Sequence, residues 1–185
     1  MNLNDYEATL QKPLRQVTLV LLIRENQILL AMKKRGFGMG RWNGVGGKPN
    51  EGETIEDAAI REAREEIGIV PADLKKVAVL NFYFPLVPTE KNFNQQVIVY
   101  TSRKWIGDPM ETEEMKPQWF DFDQIPYSSM WPDDCYWLPK VLSGSFVNAS
   151  FLFGEHDKVL EQRLQEVRPL KQRITGFIRR LAQKS

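Results

Sequence analysis

The segment that most constrains the fold of this chain is residues 47–69, which read GKPNEGETIEDAAIREAREEIGI. Thr54 can cap the start of a helix, with Asp57 three residues later in an arrangement like a capping box. Gly68 can end that helix in a left-handed conformation. Three carboxylates at helical positions i, i+3 and i+4 then share one face: Glu62, Glu65 and Glu66. The sequence therefore predicts a short helix with an acidic face.

The position of these carboxylates suggests a metal site. They fall in the C-terminal half of the predicted helix, where the helix dipole disfavours negative charge. Hard oxygen ligands on one face are what Mg²⁺ or Mn²⁺ takes, usually together with substrate phosphates. The alternative is an ordinary solvated helix face, with Arg61 and Glu65 forming an i,i+4 pair.

The residues around the acidic face favour the metal site. A glycine, five residues, a glutamate, seven residues, Arg-Glu, a small residue, any residue, Glu-Glu, any residue, glycine and an apolar residue follow in order. This pattern resembles the Nudix box, whose family hydrolyses nucleoside diphosphates linked to another group. The resemblance implies a hydrolase of the α+β class, a Nudix α/β/α sandwich with a mixed sheet.

Bulk properties exclude several other classes of protein. The chain has 185 residues, 42% apolar residues and a formal net charge of +1, so it predicts an ordinary globular domain with no general affinity for polyanions. Its longest apolar run, residues 19–23, is too short to cross a bilayer, and its N-terminus does not resemble a signal peptide. Cys135 is the only cysteine, which fits a cytoplasmic protein. His156 is the only histidine, so a multi-histidine zinc site is excluded.

Hydrophobic patterns predict several strands and a second helix. The strands are expected at residues 17–23, 27–32, 77–84, 96–104, 117–122 and 146–153. Residues 131–137 open the second helix, and residues 85–95 are predicted to be a loop. Residues 158–167 are ambiguous, because their propensity is helical while their apolar residues alternate. These elements predict an α+β sandwich in which helices flank a mixed sheet.

Six glycines lie within the twelve residues 36–47. Such a segment is either a flexible connector or a place where the backbone closely approaches a ligand. Its position directly before the acidic helix favours the second interpretation, and Trp42 and Asn43 are not typical linker residues.

Two further segments make the resemblance more specific, because they point to one class within the family. Residues 32–48, MKKRGFGMGRWNGVGGK, and residues 130–137, MWPDDCYW, resemble the eukaryotic MutT-homologue class of oxidised purine nucleoside triphosphatases. The resemblance covers roughly residues 15–167 and includes residues 114–120. It implies release of pyrophosphate from 8-oxo-dGTP and 2-hydroxy-dATP, which sanitises the nucleotide pool and supports DNA repair.

The same resemblance implies a role for individual residues. Magnesium, or manganese in its place, is expected on the Gly46 carbonyl and four carboxylates: Glu62, Glu65, Glu66 and Glu114. Catalysis is expected from Glu62, Glu65 and Glu66. Lys48 and the turn at Gly46 and Gly47 are expected to lie against the phosphates, while Arg61 and Glu53 pair as a brace. The nucleoside pocket is expected to comprise Thr18, Lys33, Phe37, Asn43, Phe82, Trp131, Asp133 and Asp134.

Asp133 and Asp134 are adjacent carboxyl groups, and their mutual repulsion predicts that one of them stays protonated. A protonated carboxyl donates a hydrogen bond and an ionised one accepts, which would suit both an oxidised guanine and an oxidised adenine. The alternative is that both aspartates merely occupy the start of a helix.

The chain also departs from the resembled class. We predict a polar N-terminal extension at residues 1–14, a Nudix domain at 15–168 and a basic amphipathic helix at 169–185. The last segment carries five basic residues and no acidic one, and either docks on the domain or binds a partner. The loop at 85–95 is longer than expected, so it either reaches over the pocket or is a surface insertion.

The sequence leaves other activities open. They are a Nudix pyrophosphatase for an ordinary dNTP, a dinucleotide or a nucleotide sugar, and a non-catalytic nucleotide-binding module. We expect a monomer with a nucleoside triphosphate substrate, without a membrane or a stable nucleic-acid partner.

Overall fold

The computed structural model describes residues 2–168 and places them in an α+β fold. Within this range the α-helices are α1 (Leu3–Thr9), α2 (Ile55–Ile67) and α3 (Asp134–Leu142). The strands are β1 (Arg15–Arg24), β2 (Gln27–Lys33), β3 (Trp42–Asn43), β4 (Val70–Ala72), β5 (Lys75–Tyr83), β6 (Gln95–Ser102), β7 (Lys104–Ile106), β8 (Met115–Asp121), β9 (Phe146–Phe153) and β10 (Val159–Val167). No helix in this part of the chain is both long enough and apolar enough to cross a membrane.

Eight of the strands form one mixed sheet, as the sequence predicted. The order is β10-β9-β5-β6-β1-β2-β3, and β8 also pairs with β2. The pairs β1–β6 and β5–β9 are parallel, whereas the other pairs of this sheet are antiparallel. Strands β4 and β7 form a separate two-stranded sheet that the sequence analysis did not predict.

Helix α2 covers one face of the large sheet. Thr54 caps it by accepting the Asp57 N–H, and Gly68 ends it with φ 76°, both as predicted. The buried residues of α2 are mostly alanines, which allow the helix to pack closely on β1 and β8. The acidic residues are therefore held at a fixed distance from the sheet.

Helix α3 covers the opposite face, which confirms the sandwich. Its Trp137, Leu138 and Val141 are buried among apolar side chains of β1, β5, β6 and β9. The helix begins within the predicted segment and continues to Leu142 with Pro139 inside it.

The structure revises one prediction of local structure and decides a second that the sequence left open. The N-terminal segment is not simply polar, because Leu3 and Tyr6 of α1 are buried against Tyr83 and Leu152. Residues 159–167 form a strand that pairs with β9, so the alternating pattern outweighed the helical propensity. The amphipathic helix predicted at residues 169–185 lies outside the described residues.

Candidate active site

A cavity of about 600 Å³ lies between the central sheet and the segments 37–48 and 131–137. All eleven residues predicted to contact the substrate line it: Thr18, Lys33, Phe37, Asn43, Gly46, Gly47, Lys48, Phe82, Trp131, Asp133 and Asp134. They come from five separate stretches of sequence, and the fold brings them to one place.

The glycines at 46 and 47 are required by close packing on both sides. Gly46 has φ 157°, and a Cβ there would lie 2.0 Å from the Thr18 carbonyl oxygen. The Gly47 carbonyl accepts the Thr18 N–H at 2.8 Å, which holds this segment against β1. A Cβ at Gly47 would lie 2.4 Å from the Glu62 carboxyl carbon. The glycine segment therefore sits between the cavity and the acidic face of α2 and is not a flexible connector.

The two adjacent aspartates are buried in the wall of the cavity, each with only 3% of its surface exposed. Asp133 accepts the Trp137 indole N–H at 3.1 Å, and Asp134 accepts the Trp131 backbone N–H at 3.0 Å. Burial raises the pKa of Asp133 to about 7. Burial first, and the charge of Asp133 second, raises the pKa of Asp134 well above its usual range. The adjacency of the two aspartates predicts a protonated carboxyl, but desolvation and not mutual repulsion is the main cause of the raised pKa values.

Trp131 forms part of the cavity wall beside the aspartates, and Arg41 holds it there. The Arg41 guanidinium lies 4.3 Å from the Trp131 ring centroid, donates to the Met130 carbonyl and pairs with Asp157 at 2.8 Å. Arg41 was missed by the sequence analysis, although its place inside the quoted segment 32–48 was the available signal. Its multiple contacts fix the ring on which a planar base would stack.

The remaining wall of the cavity carries two polar side chains, one without a hydrogen-bond partner and one whose orientation is already fixed. The Thr18 hydroxyl is fully buried and has no hydrogen-bond partner among the described residues. The Asn43 side-chain oxygen accepts the Gly44 N–H at 2.8 Å, which fixes the orientation of its amide. A buried hydroxyl without a partner is costly, so a ligand bond to Thr18 would offset that cost.

Lys33 lines the cavity and pairs with two of the predicted metal ligands. Its ammonium lies 2.9 Å from Glu114 and 3.7 Å from Glu66. Glu66 also accepts the Gly46 N–H at 2.9 Å. Burial raises the pKa of Glu66 to about 7; the Gly46 bond and Lys33 oppose this rise, while the charges of Glu62 and Glu114 add to it.

Arg61 organises the rest of the acidic face. It pairs with both oxygens of Glu53 at 2.8 and 2.9 Å and donates to the Lys48 carbonyl, which forms the predicted brace between loop and helix. It also contacts Glu62 at 2.8 Å and Glu65 at 3.1 Å. Glu65 is 59% exposed, which makes it the most exposed of the four carboxylates predicted as ligands.

Whether these carboxylates fit a divalent cation can be judged from their chemistry. Among residues 2–168, no three acidic, histidine or cysteine side chains converge closely enough to form a preformed metal cage, because Lys33 and Arg61 hold their oxygens. The donors are nevertheless all hard oxygens, and the raised pKa of Glu66 reflects burial and the charges of its carboxylate neighbours. A divalent cation would relieve that repulsion, so the donor set fits Mg²⁺ or Mn²⁺.

The loop at residues 85–95 reaches the cavity. Lys91 and Phe93 line the cavity beside Arg15, Phe84 and Gln95. Phe93 packs edge-to-face on Phe37 at 5.4 Å and on Phe84 at 6.2 Å. Of the two possibilities that the sequence left open for this loop, the structure selects the one in which it forms part of the pocket wall.

Comparisons with known proteins agree with this geometry. The NUDIX domain family matches residues 13–141. The oxidized purine nucleoside triphosphate hydrolase of Mus musculus is 46% identical over 83% of this chain and 96% of its own length. The protein of the same name from Danio rerio is 45% identical over the same shares. A MutT protein from Bacillus halodurans has a similar fold, with a TM-score of 0.71 and 24% identity over 82% of this chain and 98% of that one.

Proposed function

Because the chain belongs to the NUDIX domain family, we propose that it hydrolyses oxidised purine nucleoside triphosphates to the monophosphate and pyrophosphate. The substrates we propose are 8-oxo-dGTP and 2-hydroxy-dATP, and the cellular role is sanitation of the nucleotide pool. The names of the mouse and zebrafish relatives, which match more than four-fifths of the chain, support this proposal.

The observation that carries the proposal is the pair of buried aspartates in the cavity. Asp133 and Asp134 both lie where burial favours the protonated form, so at neutral pH the pair can present a donor and an acceptor together. The Watson–Crick edges of an oxidised guanine and an oxidised adenine differ in their donors and acceptors, and a carboxyl pair that both donates and accepts can bond to either of them.

The cavity walls offer the remaining contacts to a nucleoside. Trp131, held by Arg41, provides a ring face for stacking, and Phe82 lies on the opposite strand β5. Asn43 and Thr18 provide amide and hydroxyl groups for hydrogen bonds. These groups orient the base, so that the triphosphate extends toward Gly47 and Lys48.

At the acidic end we propose that the Gly46 carbonyl and four carboxylates hold Mg²⁺, with Mn²⁺ as a substitute: Glu62, Glu65, Glu66 and Glu114. When bound, the ion would neutralise phosphate charge and supply the Lewis acidity that activates water for attack. Lys48 lines the cavity and contacts the phosphate oxygens, whereas Lys33 is one of the residues that form the nucleoside pocket. Glu62 or Glu66 accepts the proton of the attacking water, and Glu65 completes the acidic face. Attack on phosphorus then separates the monophosphate from pyrophosphate.

The test is pyrophosphate release with Mg²⁺ from 8-oxo-dGTP, 2-hydroxy-dATP, dGTP and dATP at matched low concentrations. We expect a preference of at least about tenfold for an oxidised purine, which corresponds to about 1.4 kcal/mol of transition-state discrimination. Equal turnover of all four, or none, would overturn the substrate assignment. Dinucleotides and nucleotide sugars would then be the next substrates to screen.

We also propose a monomeric, cytoplasmic enzyme that acts on free nucleotides and needs neither a membrane nor a nucleic-acid partner. Analytical ultracentrifugation tests the first part, where a concentration-dependent dimer would contradict it. Cell fractionation tests the second.

A further inference from the structure

Asn94 lies directly behind the cavity wall and makes three hydrogen bonds that converge there. Its side-chain oxygen accepts the Phe84 N–H at 2.8 Å, and its backbone carbonyl accepts the Arg15 N–H at 3.3 Å. Its side-chain amide donates to the Tyr6 hydroxyl at 3.1 Å. Phe84 and Arg15 both line the cavity, whereas Tyr6 belongs to helix α1.

The hydrogen bond from the Phe84 N–H to the Asn94 side chain takes the place of a backbone hydrogen bond between β5 and β6. The ladder between β5 and β6 ends at the pair Phe82–Gln95, so the next residues have no backbone partner across the strands. The Asn94 side chain satisfies the Phe84 N–H in place of the strand. Phe84 in turn stacks on Phe153, with ring centroids 4.9 Å apart and planes 8° apart. The position of this wall thus depends on one side-chain amide.

The bond to Tyr6 determines which way that amide points. The side-chain oxygen of Asn94 faces Phe84, so its NH₂ group needs an acceptor on the other side, and the Tyr6 hydroxyl is that acceptor. Tyr6 is itself fixed, because it is buried and packs edge-to-face on Tyr83 at 5.9 Å. Helix α1 is held further by Glu7, which pairs with Arg163 at 2.7 Å and accepts the Tyr83 hydroxyl.

From this arrangement we propose that Asn94 is a positioning residue for the cavity wall and that, through Tyr6, it couples helix α1 to nucleotide binding. The N-terminal segment is then part of the framework of the substrate site and not an independent extension. The inference about binding rests on the proposed function, whereas the inference about the wall does not.

Tyr6→Phe and Tyr83→Phe form a matched pair for the test. Each removes one phenol hydroxyl from the same cluster around α1, but only Tyr6 bonds to Asn94. We expect Tyr6→Phe to raise KM for the preferred oxidised purine triphosphate about two- to tenfold, the range that one hydrogen bond supplies, with kcat within about twofold. Tyr83→Phe should raise KM less, because its hydroxyl bonds to Glu7 of α1 and not to Asn94. Equal effects of the two variants on KM, or none for Tyr6→Phe, would overturn the coupling.

Substitutions at Asn94 test the positioning role itself. Asn94→Leu keeps the size of the side chain and removes both side-chain bonds, so KM and the hydrogen-exchange rate of the Phe84 amide should both rise by about tenfold or more. Asn94→Asp should restore much of both values, since a carboxylate accepts from Phe84 and from the Tyr6 hydroxyl. Failure of Asn94→Asp to improve on Asn94→Leu, or slow exchange at Phe84 in Asn94→Leu, would refute the role.

The two proposals can fail separately. If the wild-type chain does not turn over any oxidised purine triphosphate, the proposed function fails, and the exchange rate of the Phe84 amide in Tyr6→Phe against Tyr83→Phe still decides the role of Asn94. If turnover is normal but the exchange rates and KM of these variants match the wild type, only the role of Asn94 is lost.

Discussion

Replacing Asp133 with asparagine should stabilise the fold at alkaline pH and damage activity at the same time. Asp133 is buried, and its one side-chain partner within the described residues, the Trp137 indole N–H, can equally bond to an asparagine oxygen. The variant therefore keeps the packing and the hydrogen bond while it removes the ionisable group. If Asp133 were retained for its contribution to stability, replacing it with asparagine would instead lower the free energy of unfolding.

The size of the expected gain in stability follows from the pKa of Asp133, which burial raises from 3.8 to about 7. The pKa of Asp133 is higher in the folded state than in the unfolded state. The contribution of its protonated form to the free energy of unfolding is therefore fully present below pH 3.8 and is lost as the pH rises through 7. At 1.36 kcal/mol for each pH unit, ionisation in the folded state costs up to roughly 4 kcal/mol. Asp134 shares the proton, so the gain from Asp133→Asn will be a fraction of this limit.

Urea unfolding of the wild type and Asp133→Asn at several values between pH 5 and 9 measures this effect. We expect wild-type stability to fall with pH, the variant to fall less steeply, and the difference in favour of the variant to exceed about 1 kcal/mol at pH 9. At the same time kcat/KM for the oxidised purine should fall by at least about tenfold. Parallel pH profiles for the two proteins would refute the argument from burial, and unchanged kcat/KM would refute the role in base recognition.

Three other substitutions test the cap of α2, the brace at Arg61 and the close packing at Gly47. Thr54→Ala removes the cap of α2 and should lower the free energy of unfolding by about 1 kcal/mol in urea titrations, and an unchanged midpoint would contradict this. Arg61→Ala frees the loop from Glu53 and should lower kcat/KM by about tenfold or more with little change in secondary structure by circular dichroism. Gly47→Ala drives a Cβ into the Glu62 carboxyl group and should weaken Mn²⁺ binding, followed by electron paramagnetic resonance, by about tenfold or more. Wild-type Mn²⁺ affinity in that variant would exclude Glu62 from the metal site.

The helix at residues 55–67 was predictable because its signals are local. The cap at Thr54, the stop at Gly68 and the spacing of the glutamates all act within a few turns of one helix. The strands predicted at residues 17–23, 27–32 and 146–153 were likewise found close to their expected positions, since β-branched and apolar runs need no distant partner to be recognised. Residues 159–167 show the limit of this approach, because only pairing with β9 decided between helix and strand.

The composition of the cavity was predicted by resemblance and not by local physics. All eleven expected pocket residues line one cavity, and this grouping follows from strand order, which brings β1 between β6 and β2. The metal ligands were brought together less completely, with Glu66 and Glu114 on Lys33, and Glu62 and Glu65 on Arg61. Their roles stay predictions until the metal and substrate tests are made.

The acidic helix, the glycine segment and the family can be recognised from the sequence, because each depends on residues that are close together along the chain. The contacts that support the cavity are known only from the folded chain. Arg41 reaches Trp131 and Asp157, and Asn94 reaches Phe84 and Tyr6, across separations of up to 116 residues. The high pKa of Asp133 also depends on the tertiary structure, because it arises from burial under α3 and the sheet and not from the adjacent residue in the sequence. Burial and long-range hydrogen bonds depend on the whole packed core, which no local pattern encodes.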